Sequence, residues 1–207
     1  MIKNIVFDMG QVLIKFDPYY FIKEIGITDK KDIEILYREV YKSLEWSMMD
    51  RGTITDQEGA EMMCKRIPDR LHDAVRRLTY DWFRPMLSID GMEDLCKQLK
   101  ANGYKLYLLS NASYLQKSYW PRVPGHQYFD GRIVSAEVGY VKPEKEIFKI
   151  LCDTYNLKKE ECVFIDDSTL NCEAAYGFGM STIVFHDDSI ELIDKLENLG
   201  INTKKAF

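Results

Sequence analysis

The chain of 207 residues is long enough for one ordinary domain with a modest insertion and too short for a multidomain machine. Hydrophobic residues at 46% and charged residues at 29% exclude a disordered or fibrous chain. The formal net charge is −5 with the basic residues scattered, which argues against nucleic acid or a membrane surface as a partner.

In chain order, the run NIVFD at 4 to 8 reads as a buried strand and is too short for a secretion signal. From Asp17 to Met86 no strand-like run occurs, and helical patterns fall at 31–44, 56–66 and 71–83. Gly52 ends or turns a helix there, and Thr55 caps the next. An amphipathic stretch at 91–101 leads to the strand KLYLLSN at 105–111, and RIVSAE at 132–137 reads as a further short strand. A helix over Pro143 to Tyr155 precedes the strand CVFID at 162–166. A helix at 169–177, the strand STIVFH at 181–186 and a helix at 189–199 complete the pattern.

Alternating strands and helices predict an α/β fold, a doubly wound parallel sheet of Rossmann-like character with an inserted α-helical cap. The expected division is a core of 1–16 and 87–207 and a cap of 17–86. The cap follows the first strand at once, so it sits over the carboxyl end of the sheet, where ligands bind. Cys64, Cys96, Cys152, Cys162 and Cys172 are odd in number and widely spaced, unlike a disulfide framework or a zinc set. A cytoplasmic location is expected, and no stretch is long enough to cross a bilayer.

The polar residues past the strand ends carry the chemistry. They are Asp8 and Gly10 after the first strand, Ser110 and Asn111 after the second, and Asp166 and Asp167 after CVFID. Lys142 joins them from EVGYVKPEKEIF, where Pro143 suits the first turn of a helix. Any one of these alone could be a cap, a turn or a solvated side chain. Together, acids gathered with one ammonium at a single crevice are costly unless a cation or an anionic ligand organises them.

Four segments in order, VFDMGQVLI at 6–14, LLSN at 108–111, GYVKP at 139–143 and FIDDSTLN at 164–171, resemble the motifs of the haloacid dehalogenase superfamily. The resemblance covers essentially the whole chain. It implies Asp8 as nucleophile and a Mg²⁺ cofactor held by Asp8, Asp167 and the backbone carbonyl of Gly10, with Asp166 a direct or outer ligand. It also implies Ser110 and Asn111 at the phosphoryl group and Lys142 neutralising charge on both nucleophile and substrate. The implied activity is hydrolysis of a small-molecule phosphate ester through an aspartyl-phosphate.

Most phosphatases of that superfamily carry a second aspartate two residues after the nucleophile, which protonates the leaving alcohol. Here Gly10 stands instead. The chain is most similar to a subgroup with glycine at this place that includes alpha-D-glucose 1-phosphate phosphatase. An anomeric hydroxyl is a more acidic leaving group and tolerates a missing acid, so a sugar 1-phosphate is an expected substrate. Two rival functions are a metal-independent haloacid dehalogenase, disfavoured by Gly10 and the Asp166–Asp167 pair, and a catalytically idle binding protein. Trp46, Tyr80, Trp82 and Phe83 read as helix-packing residues, with Trp46 able to reach substrate. His72, His126 and His186 have no ligand-like spacing.

Overall fold

The computed structural model describes residues 1–204. Four strands begin or lie within the expected apolar runs: β1 (Asn4–Phe7), β2 (Lys105–Ser110), β4 (Cys162–Asp166) and β5 (Ser181–Val184). A fifth, β3 (Gly131–Val134), is shorter than expected. Ser135 ends it, because its hydroxyl accepts from Ala112 N–H and the chain turns into helix α8 (Ser135–Val138). The strands are parallel in the order β3-β2-β1-β4-β5, and Asn4 of β1 pairs with both Lys105 and Cys162.

Every residue of β1 and β4 is buried, as a sheet covered on both faces requires. The period-2 alternation of a strand splits these residues between two cores. Ile5, Phe7, Leu106, Leu108, Val163 and Ile165 face helices α6 (Met92–Ala101) and α11 (Ser189–Asn198), meeting Leu95, Leu99, Leu192 and Leu196. Val6, Tyr107, Leu109 and Phe164 face α9 (Lys145–Tyr155) and α10 (Thr169–Phe178), meeting Ile147, Phe148, Leu151 and Ala175. Each such side chain contributes about 1.5–3 kcal/mol on burial. The winding reverses at β1, so the crevice of the fold lies at the carboxyl ends of β1 and β4.

Between β1 and α6 the chain forms the helical cap: α1 (Pro18–Glu24), α2 (Lys30–Leu36), α3 (Leu44–Arg51), α4 (Asp56–Cys64) and α5 (His72–Tyr80). Phe21, Ile22, Leu36, Met63, Val75 and Leu78 build its own hydrophobic cluster. The single helix expected over 31–44 is broken. A π-helical turn at Tyr37–Tyr41 follows α2, and the Ser43 hydroxyl donates to Val40 O and accepts from Trp46 N–H, which starts α3 afresh. Gly52 closes α3 in the left-handed region at φ 76°, and Thr55 opens α4 with a reciprocal capping box to Glu58, both as expected.

Pro143 does not open α9. Glu144 is its N-cap residue and its amide donates to Val141 O, so Lys142 and Pro143 form a turn ahead of the helix. Among the described residues no helix is long and apolar enough to cross a membrane. The five cysteines are buried and unpaired.

Candidate active site

Asp8 stands one residue past β1, its amide donating to Ile165 O at 2.8 Å and so holding it beside the end of β4. The chain then turns tightly, with the amides of Leu13 and Ile14 reaching back to Met9 O at 2.9 and 3.1 Å. Gly10 lies inside this turn without a left-handed φ, and a Cβ there would meet nothing nearer than Phe16 Cβ at 4.0 Å.

Lys142 is the centre of the polar cluster. Its Nζ lies 2.7 Å from Asp8 Oδ1 and 2.7 Å from Asp166 Oδ2, and its side chain is 1% exposed. Asn111 fixes the lysine loop. Its Nδ2 donates to Lys142 O at 3.0 Å and its Oδ1 accepts from Lys142 N at 2.8 Å, so its amide faces the loop's backbone. Asp166 is fully buried, and its Oδ1 also accepts from Ser168 N–H at 2.8 Å and Asn171 Nδ2 at 3.1 Å. Asp167 is exposed, one residue beyond.

Burial pushes the Asp8 carboxyl up, to about 7, against the pull of Lys142 and with Asp166 adding to the rise. Burial alone would lower the Lys142 ammonium. The facing Asp8 and Asp166 more than offset this and hold it above the ordinary lysine value. Asp167, although exposed as a residue, is also raised, by partial desolvation of its carboxyl and by Asp166. Asp8, Asp166 and Asp167 each bring a carboxylate oxygen within 4.8 Å of the others. One ammonium does not relieve this crowding of acids, and hard oxygen donors so placed fit a divalent cation of the magnesium kind.

A cavity of about 230 Å³ opens on this cluster. Asp8, Gly10, Ser110, Asn111, Lys142 and Asn171 line it from the core, whereas Asp166 lies beneath and Asp167 outside the lining. The opposite wall is cap: Trp46, Met49, Asp50, Asp56, Thr79 and Trp82. Trp46 and Trp82 therefore do more than pack helices, although both also join the cap cluster.

Asp50, Asp56, Ser113 and the role of Asn171 are the site residues that sequence reasoning missed. Asp56 Oδ1 accepts from Ser113 Oγ at 2.5 Å, tying α4 to the loop after β2. Asp56 follows Thr55 and reads locally as a first-turn helix charge, while the one signal at Asp50 is its place two residues before the glycine that ends α3.

Comparison with known proteins bears on this arrangement. Residues 2–179 match the family described as haloacid dehalogenase-like hydrolase. D-ribitol-5-phosphate phosphatase of Bacteroides thetaiotaomicron is 26% identical over 198 residues, covering 88% of this chain and 91% of that protein. A solved HAD family enzyme of Bacteroides thetaiotaomicron, in complex with magnesium and inorganic phosphate, superposes with a TM-score of 0.67. It is 27% identical, covering 93% of this chain and 99% of the other. Bifunctional epoxide hydrolase 2 of Mus musculus is 42% identical over 66 residues, 32% of this chain, and the matched stretch spans only 12% of that protein.

Proposed function

The chain belongs to the haloacid dehalogenase-like hydrolases, and from that membership we propose a magnesium-dependent phosphatase acting on a small phosphorylated metabolite. The observation that carries the reading is Lys142 Nζ placed 2.7 Å from both Asp8 and Asp166 at the floor of the cavity. A phosphatase and a magnesium–phosphate complex among the similar proteins support it. We assign the core to residues 1–16 and 87–207, of which 205–207 lie outside the described residues, the cap to 17–86, and the location to the cytoplasm.

In the proposed reaction Asp8 attacks phosphorus in line with the leaving oxygen, an aspartyl-phosphate forms, and water then releases inorganic phosphate. Lys142 orients the Asp8 carboxylate and offsets charge on the transferring group. Asp166 holds Lys142 through its own carboxylate, which makes it a positioning group and leaves direct metal contact to Asp8, Asp167 and the Gly10 carbonyl. In this reading Ser110, which lines the cavity, donates to a phosphoryl oxygen, and Asn111 acts by fixing the lysine loop. Mg²⁺, when bound, would screen the phosphoryl charge so that one anion can approach another. If nothing replaces the acid absent at Gly10, an anomeric phosphate such as a sugar 1-phosphate is the substrate that leaves most readily.

A panel of sugar phosphates, polyol phosphates and nucleotides, assayed with Mg²⁺ and with chelator, tests this. The expected outcome is phosphate release that chelator abolishes and that Asp8→Asn lowers by at least about 10³-fold. Release that survives Asp8→Asn, or chloride release from a short haloacid undiminished by chelator, would overturn it.

A further inference from the structure

In-line displacement places the leaving oxygen on the far side of phosphorus from Asp8. Lys142 and Asp166 crowd the Asp8 side, and Gly10 has no side chain to offer. An acid for the leaving oxygen is therefore sought on the opposite wall, which is cap, since the Tyr119 hydroxyl that also lines the cavity is pushed well above its ordinary value by burial and is a weak proton donor. Two acids line that wall, Asp50 and Asp56. Asp56 is engaged by the Ser113 hydroxyl. At Asp50 the hydrogen bond from Ser135 Oγ, 2.5 Å, goes to the main-chain carbonyl and leaves the carboxyl group to the cavity.

The backbone that carries Asp50 is anchored to the core. Arg51 Nη1 donates to Gly139 O at 3.2 Å, and its guanidinium pairs with both Glu144 oxygens at 3.1 and 2.5 Å. Gly52 lies so close to the Ala136 carbonyl that a Cβ would collide with it. An acid on a cap helix is thus held in register with a nucleophile on the sheet.

We propose that Asp50 is the acid–base catalyst of this site, replacing from the cap the aspartate that position 10 lacks. This rests on the phosphatase reading and deepens it. As Asp8 Oδ bonds to phosphorus, the ester P–O bond breaks and its electron pair goes to the leaving oxygen, which takes the proton of the Asp50 carboxyl. Water then attacks the aspartyl-phosphate and gives its proton to the Asp50 carboxylate, so phosphate leaves and both acids are restored. Burial pushes the Asp50 carboxyl up, to about 7, with Asp56 and Asp8 adding to the rise and Lys142 opposing it, so the proton is present near neutrality. The buried Tyr119 hydroxyl shares this field and is itself raised by burial and by Asp50. With such an acid in place the substrate need not be anomeric, and the class widens to ordinary alkyl phosphates with a small hydroxylated leaving group.

The test compares an alkyl ester, glycerol phosphate, with an aryl ester, p-nitrophenyl phosphate, whose leaving group needs no proton. Asp50→Asn should raise the aryl-to-alkyl ratio of kcat/KM by about 10²-fold, and Asp50→Glu should recover much of the lost alkyl turnover. Equal proportional losses on both esters would overturn the assignment while leaving Asp8 chemistry intact. Aryl hydrolysis that Asp8→Asn leaves untouched would instead bring down the phosphatase reading, and this assignment with it.

Discussion

At position 10 the backbone is not left-handed and the space for a side chain is open, so nothing steric demands glycine. The absence is chemical, and it can be reversed. Gly10→Asp in the Asp50→Asn background is expected to restore alkyl phosphate turnover by at least about 10-fold, read from kcat on glycerol phosphate. Of the candidate site, Asp8, Ser110, Asp166 and Asp167 were legible because they end or directly follow parallel strands; Asp8 and Ser110 reach the cavity, while Asp166 lies beneath it and Asp167 outside its lining. Lys142 was legible from its motif, although the proline after it belongs to a turn and not to a helix. Asp50 was not. Its meaning arises only when α3 folds back across the sheet, and no local pattern records that approach.

The end of α3 shows what one helix terminus does for the geometry. Gly52 takes φ 76° and packs against the Ala136 main chain, so any larger residue is strained twice. Gly52→Ala is expected to cost about 1–3 kcal/mol, seen as a lower Tm, and to raise KM more than the burial of one methyl could explain. Strand positions followed from apolar runs, and Thr55 followed from its capping signature. The break at Tyr37–Tyr41 did not, because the hydrophobic spacing continues across it and only the Ser43 hydroxyl marks the restart. In the same way the apolar start of RIVSAE marked a strand, but the turn at Ser135 depends on Ala112, a residue distant in sequence.

Across the molecule, the sheet carries a core on each face and the cap carries a third. The third cluster falls within the one long interval of the sequence that has no strand-like run. The cap core is braced by Arg66, whose guanidinium binds both Glu45 oxygens at 2.7 and 2.6 Å and Glu39 at 2.6 Å. The hydrogen bond from Arg66 holds the Glu45 carboxyl below its ordinary value of 4.5, so this stabilisation is present above that pH and is lost as pH falls through the lower value of the folded state. Since Arg66 is partly exposed, Glu45→Gln is expected to cost about 1–2 kcal/mol near neutrality. Urea midpoints of parent and variant should converge on acidification.

Trp82 packs against both the sheet core and the cap core, and with Trp46 it borders the cavity, whereas Trp120 does not. Two of the three indoles are therefore natural optical gauges of whether anything sits between lid and floor, and the remaining one is a built-in reference. Occupancy can be followed by emission without a label, even in a protein whose nucleophile has been removed.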